Sequence, residues 1–332
     1  MGEASTNFDV IMLGPMGTGK TSILATMYDE IKRNNKNIFD IKSKDLQRSG
    51  QLNQKLGDLK AMAEGKITSA VINKIETTQR LEKYPFSVSV EGENNPRFNI
   101  NFCDHKGGLI NNAGSDEKSF KELCDHVNRA HVIINAVDAC AMVEIKGLHE
   151  KQSHPAFVSD ILELALDDEQ NQLVIIGLTK CETYLKEKEL LNKMFFKLEE
   201  EHKRVFNVVE TINKKRSNTL LVVVPIKTIG GIKFKRYEEL SDGSYEFIFG
   251  RDGDMGFQPE LADFVFNLSV AFILKQAYKN RGIYDKFFDF FGGEKRFKST
   301  VNKSLQQAKD IINDNNHKIR VYGETKLLGN IE

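Results

Sequence analysis

Residues 8–22, FDVIMLGPMGTGKTS, decide how the rest of the chain is read. Val10 to Leu13 is a short apolar run of the kind that forms a strand buried on both faces. It leads into Gly14, Gly17, Gly19, Lys20 and Thr21, which satisfy G-x-x-x-x-G-K-[ST] without a mismatch. From Ser22 to Ile31 the pattern turns helical, with Ile23, Leu24, Met27 and Ile31 on one face. Strand, glycine loop and helix in this order are the setting of a phosphate-binding loop. Glycines let backbone N–H groups converge on a phosphate without Cβ clashes, and the helix start adds unpaired donors and a positive dipole end. The expected cradle is Gly14, Met16, Gly17, Thr18, Gly19, Lys20, Thr21 and Ser22. Lys20 supplies a charge for the β- and γ-phosphates, and the Thr21 hydroxyl is the expected Mg²⁺ ligand.

Outward from this loop, 332 residues hold ample core for one large domain or a domain with an appendage. Lys+Arg 47 against Asp+Glu 47 leaves no net field to favour nucleic acid or an anionic membrane. The first ten residues carry neither a basic nor an apolar signal region, and no apolar run is long enough to span a bilayer. Cys103, Cys124, Cys140 and Cys181 are scattered without C-x-x-C spacing, as inert thiols in a reducing cytosol would be. A cytoplasmic protein is the expectation.

Strand and helix patterns then alternate. Asn34 to Gln79 is polar and mostly helical in pattern, with Leu52, Leu56 and Leu59 at helical spacing, so a helical insert is expected at about 34–79. Strands are predicted at Phe86–Glu91, Arg97–Cys103, Val132–Val137, Leu173–Leu178 and Leu220–Pro225. Helices are predicted near Pro155–Leu166 and, as one long charged element, from about Thr183 to Val209. The fold class is α/β, a doubly wound, mainly parallel sheet with helices on both faces.

Two further stretches sit where a nucleotide would need them. FNINFCDHKGG, from Phe98, ends a strand in Asp104 and follows it with Gly107, giving D-x-x-G. Asp104 would orient Mg²⁺ and the Gly107 N–H would meet a γ-phosphate oxygen; the plainer alternative is a capping Asp and a turn Gly. LVIIGLTKCE, from Leu173, delivers Thr179, Lys180 and Glu182 as T-K-x-E. Guanine presents two N–H donors along one edge, which one carboxylate accepts as a pair, whereas adenine has no such pair. The Lys180 stem would cover the base face; a helix-start acid beside a surface lysine is the plainer reading.

With these three anchors in order, about Asn7 to Gly230 resembles the P-loop GTPases of the Ras-like and translation-factor-related class. The resemblance implies that fold for residues 1–230, bound GTP or GDP, and Mg²⁺. It implies a first-switch Thr completing the metal shell, at Thr78, with Thr68 and Thr77 as alternatives. It places Pro225-Ile226-Lys227-Thr228 at the base-contacting loop, with Lys227 as a nucleotide contact, and reads Asp138 as structural. Glu182 departs from the family's usual Asp. Gly108 stands where Ras-like members carry a water-orienting Gln, and Met16 is bulkier than the usual small residue. Lys20, Thr78 and Gly107 remain the implied catalytic set, with His105, Lys106 or a partner's group replacing the Gln. Slow or partner-stimulated hydrolysis follows. A narrower resemblance, to the bacterial double-GTPase group of conflict or defence gene clusters, rests on the segment before Thr78, the hairpin and the helical tail. The rival functions are a non-hydrolysing nucleotide-dependent scaffold and an ATPase on the same fold.

Beyond Gly230 the pattern predicts a hairpin over Ile232–Arg251 and a helix over Glu260–Lys279 with one apolar stripe, both within 231–282. A helical C-terminal extension is expected over 283–332, with Gly323–Glu332 mobile. Ile283, Tyr284, Phe287, Phe288 and Phe291 form its aromatic face, for packing, for docking of a protein partner or second copy, or, least, for a membrane. The switch regions are the other expected contact for such a partner.

Overall fold

A computed structural model describes residues 6–15, 17–34, 36–66, 69–72, 82–93, 95–104, 117–148, 150, 154–166, 170–241, 245–280, 288 and 291–331. Among them, eight strands form one sheet in the order β11-β8-β7-β6-β1-β5-β4-β2. These are β1 (Asn7–Leu13), β2 (Phe39–Ser43), β4 (Glu82–Val90), β5 (Phe98–Asp104), β6 (Val132–Asp138), β7 (Gln172–Thr179), β8 (Thr219–Pro225) and β11 (Arg320–Gly323). β5, β1, β6, β7 and β8 run parallel, whereas β4 and β11 lie antiparallel to their neighbours. The parallel strands are buried on both faces, which is why they read as unbroken apolar runs.

Helices cover both faces. On one lie α1 (Lys20–Arg33), α8 (Ala262–Lys279) and α9 (Glu294–Asp314), packed on Phe8, Val10, Ile134 and Val222. On the other lie α3 (Glu117–Arg129), α4 (Ala139–Glu144), α5 (Pro155–Ala165), α6 (Lys188–Glu201) and α7 (Lys203–Arg216), packed on Ile11, Ile133 and Val223. This is the doubly wound architecture expected from the sequence.

Several elements differ from the sequence reading. The 34–79 segment is not simply helical: α2 (Leu46–Ala63) is flanked by β2 and by β3 (Ser69–Ile72). β2 buries only Phe39 and Ile41, too short an alternation to stand out beside the leucine spacing of α2. Asp45 caps α2, its carboxylate accepting from the Gln47 and Arg48 N–H groups at 2.8 and 3.1 Å. The single helix expected at Thr183–Val209 is two, broken at the buried His202, and the second runs on to Arg216.

α8 is buried all round from Phe264 to Ala277, not along one stripe, because α9 covers its outer side. Its polar side chains are half satisfied: Asn267 donates to Asn37 at 2.7 Å and Asn171 donates to Gln276 at 2.7 Å, while Asn267 Oδ1 and Gln276 Nε2 are buried with no hydrogen-bond partner among the described residues. Phe288 and Phe291, the described part of the aromatic face, pack against Phe297 with ring centroids 4.9 Å away in each case. They therefore belong to the core; Ile283, Tyr284 and Phe287 lie outside the described residues.

The tail expected to be mobile is built in. β11 pairs with β8, and Leu327, Leu328 and Ile331 are buried. Lys275 donates to the carbonyls of Lys326 and Gly329 at 3.2 and 2.5 Å, and Asn302 clasps the Ile331 backbone through both its amide atoms.

The predicted hairpin is present as β9 (Ile232–Glu239) and β10 (Tyr245–Arg251). It forms a second sheet in which β10 lies between β9 and β3, so the 34–79 insert and the hairpin join there. Phe247 and Phe249 bury this sheet against the same core as α6, α7 and Leu59 of α2. No helix among the described residues is long and apolar enough to cross a membrane.

Candidate nucleotide-binding site

From β1 the chain passes first to β2, β4 and β5 on one side, and then to β6, β7 and β8 on the other. Such a switch point opens a crevice beyond the carboxyl ends of the strands, and the glycine loop lies at the end of β1. Gly14 holds φ at 121°, and a Cβ there would stand 2.7 Å from the Ala136 carbonyl oxygen. Gly19 holds φ at 93° at the start of α1, where a Cβ would press on the Thr179 side chain at 3.0 Å. Both positions need glycine for conformation and for space.

Two threonines lock the loop. The Thr18 hydroxyl donates to the Pro15 carbonyl at 2.8 Å, and Thr179, from the end of β7, donates to the Thr18 carbonyl at 2.6 Å. Thr179, expected as a nucleotide contact, here tethers the cradle. Ser22 is buried and Thr21 half-buried in the first turn of α1. Lys20 folds over the loop and donates to the carbonyls of Gly14 at 2.5 Å and Pro15 at 3.0 Å. Its ammonium lies 3.5 Å from Asp104, which register places opposite Met12. Lysine, cradle and carboxylate thus converge.

The base side is assembled from more distant segments. Glu182 follows β7 and is 3% exposed. Its Oε1 accepts from the Ile229 N–H at 3.1 Å, while Oε2 is buried with no hydrogen-bond partner among the described residues. Burial pushes this carboxyl above the ordinary range, against the opposing pull of backbone donors and the charge of Lys227. Lys227 itself is held by Glu260, through the side chain at 2.6 Å and through backbone pairing. Thr26 of α1 donates to the Thr228 carbonyl at 3.2 Å, tying this loop to the phosphate helix.

Lys180 adopts a left-handed backbone, φ 52°, and forms an ion pair with Asp138. Asp138 also caps α4, accepting from the Ala141 N–H at 3.0 Å, so it has a structural part as read from the sequence. α2 reaches this side too: burial pushes the Lys55 ammonium down, with Asp58 opposing and Lys180 adding to the drop. Cys140 and Cys181 are buried beside Lys180 and Ile226, and burial pushes both thiols well up, as expected of inert cysteines.

Lys20, Asp104, Thr179, Lys180 and Glu182 are therefore brought to one end of the sheet. Met16, Thr68, Thr77, Thr78, His105, Lys106, Gly107 and Gly108 lie outside the described residues. Phe247 and Thr183, which join the hairpin to the β7 loop, were not singled out from the sequence. Their role depends on contacts across more than fifty residues, which no local motif encodes.

Among solved structures, the chain is similar to the signal recognition particle receptor SRb-GTP/SRX complex from Chaetomium thermophilum, at 14% identity. The match covers 68% of this chain and 93% of that one, with a TM-score of 0.37. It is similar also to the S. cerevisiae Ski7 GTPase-like domain bound to GTP, at 12% identity over 67% of this chain and 43% of that one, with a TM-score of 0.37. No protein-family model matches the chain, and no curated protein does.

Proposed function

We propose that this chain binds a guanine nucleotide, GTP or GDP, together with Mg²⁺, and acts as a switch with slow or partner-stimulated hydrolysis. One observation carries the guanine reading: the buried Glu182 Oε2, with no hydrogen-bond partner among the described residues, on the same sheet end as the lysine-bearing loop. A buried acceptor left unpaired is costly, and the two adjacent N–H donors of guanine would satisfy this carboxylate. Adenine would leave it unmet.

The metal fits the donor set. Thr21 and Asp104 offer hard oxygens, and among the described residues no cluster of three or more His, Cys, Asp or Glu forms a closed metal cage. Magnesium is commonly held in this way, by one or two protein oxygens with phosphate oxygens completing the shell. Bound Mg²⁺ would neutralise charge on the β- and γ-phosphates. Thr78 is proposed as a further ligand, and Gly107 and His105 as contributors to turnover beside Lys20. Lys20 and the loop amides bind and orient the phosphates. Gly108 has no side chain to orient water, which is the reason to expect slow intrinsic hydrolysis.

A protein partner, or a second copy meeting the switch regions, would supply the stimulation, and a cytoplasmic setting is proposed with it. The double-GTPase likeness is carried only by the insert, hairpin and tail, of which the insert pairs with the hairpin through β3 and the tail with β8 through β11.

Titration of purified protein with fluorescent GDP and ADP, each with Mg²⁺ and with EDTA, tests this reading. GDP should bind well above ADP and weaken in EDTA; equal affinities would favour the ATPase alternative. Phosphate release with and without candidate partners separates a switch from a non-hydrolysing scaffold.

A further inference from the structure

We infer that the 232–251 hairpin is part of the nucleotide site, with Phe247 and Asp138 acting as positioning residues for Lys180. The inference rests on the guanine-nucleotide reading above. Phe247 is 0% exposed, and the Lys180 ammonium stands 5.6 Å from its ring centroid while pairing with Asp138. A lysine held between a buried carboxylate and an aromatic face has its charged head committed. What it still offers a ligand is its four-carbon stem, and a flat hydrocarbon surface is what a purine face stacks against.

The ring is itself fixed. Phe234 packs edge-on against Phe247 and Phe249, with centroids 5.8 and 6.1 Å away. The Phe234 N–H donates to the Thr183 hydroxyl at 2.7 Å, binding β9 to the residue after Glu182. The segment that follows the hairpin is tied to the loop that holds Glu182, through Gln258 N–H donating to the Ile229 carbonyl at 2.9 Å and the Gly230–Phe257 bridge. Lys180, which would contact the face of the base, is thus set by the hairpin, which also grips Thr183 beside Glu182.

A double-mutant cycle tests this. In the wild-type background Phe247→Leu, which keeps an apolar filler, should weaken GDP by about tenfold, in line with a desolvated cation–π contact. In a Lys180→Met background, which keeps most of the stem and removes the charge, the same change should cost little more. Asp138→Asn keeps an oxygen for capping α4 and should also weaken GDP.

A core-packing role alone would give additive losses in the cycle, and that result overturns the inference. So would tighter GDP binding by Asp138→Asn, which would mean that the pair holds Lys180 away from the ligand. Should Phe247→Leu not fold, Asp138→Asn and Lys180→Met decide by the same criteria. If wild-type protein binds no GDP, the nucleotide reading fails first and this inference with it; wild-type binding with silent variants removes the inference alone.

Discussion

The proposed phosphate end and the proposed base end of the site are built on different principles. At the phosphate end, one continuous stretch from Phe8 to Ser22 supplies strand, loop and helix, and its chemistry is mostly backbone. At the proposed base end, Lys180, Glu182, Ile229, Thr183 and Phe247 come from three separate segments, and the contacts are made mostly by side chains, with the Ile229 N–H beside them. Backbone cradles depend on local conformation and tolerate little change at a few glycines. Side-chain walls depend on packing between distant elements, so selectivity can be altered while the cradle is kept.

The largest effect should come from Lys20→Ala, which removes the charge from the cradle. Triphosphate affinity should fall on the order of 100-fold or more, equally for guanine and adenine nucleotides. Glu182→Ala should act on one base only, weakening GDP by roughly 10–100-fold and ADP hardly at all. Parallel titrations of both variants with both nucleotides measure the contrast, and equal losses in Glu182→Ala would dissolve it. The raised Glu182 carboxyl adds a sign: guanine binding needs the ionised form, so GDP affinity should fall on acidification before ADP affinity does.

Gly14→Ala probes the cradle as backbone. With a left-handed φ and a carbonyl 2.7 Å from the new Cβ, it should cost about 1–3 kcal/mol of stability and impair phosphate binding. Gly57→Ala in α2, where nothing lies within 4 Å of the added Cβ, should instead stabilise by about 0.4–1 kcal/mol. Urea midpoints of the two variants compare them directly.

An effect that shows only as a pH dependence concerns Glu30, at the far end of α1. Its Oε2 accepts from the Ala262 and Asp263 N–H groups at 2.9 and 3.1 Å, and burial, then Asp263, raises its carboxyl from 4.5 to about 8. A raised acid stabilises fully below its unfolded value and loses that contribution as pH rises through about 8. Wild type should therefore match Glu30→Gln best near pH 5 and fall behind it near pH 9. A gap that does not change with pH would contradict the assignment.

How much was legible follows the same division. β1, its loop and α1 were readable because strand period, glycine spacing and helix period lie within one window, and the parallel strands because double burial leaves an apolar run. β2 was missed because two apolar residues make too weak an alternation, and β3 because it is held by pairing with β10 far along the chain. The break at His202 was hidden since apolar residues continue on both sides of it. Asp104 and Glu182 were found from motifs, whereas the Asp138–Lys180–Phe247 contact joins residues that share no local pattern.

The pairing of β11 with β8 has a consequence for how the protein is made. β8 ends at Pro225, but its edge is covered only by Arg320–Gly323, roughly a hundred residues later. At typical synthesis rates of about 5–20 residues per second, that edge would stay bare for on the order of 5–20 s on the ribosome. The nascent chain would spend that interval with an open hydrogen-bonding edge, the stage at which a chaperone or a neighbouring copy could pair with it.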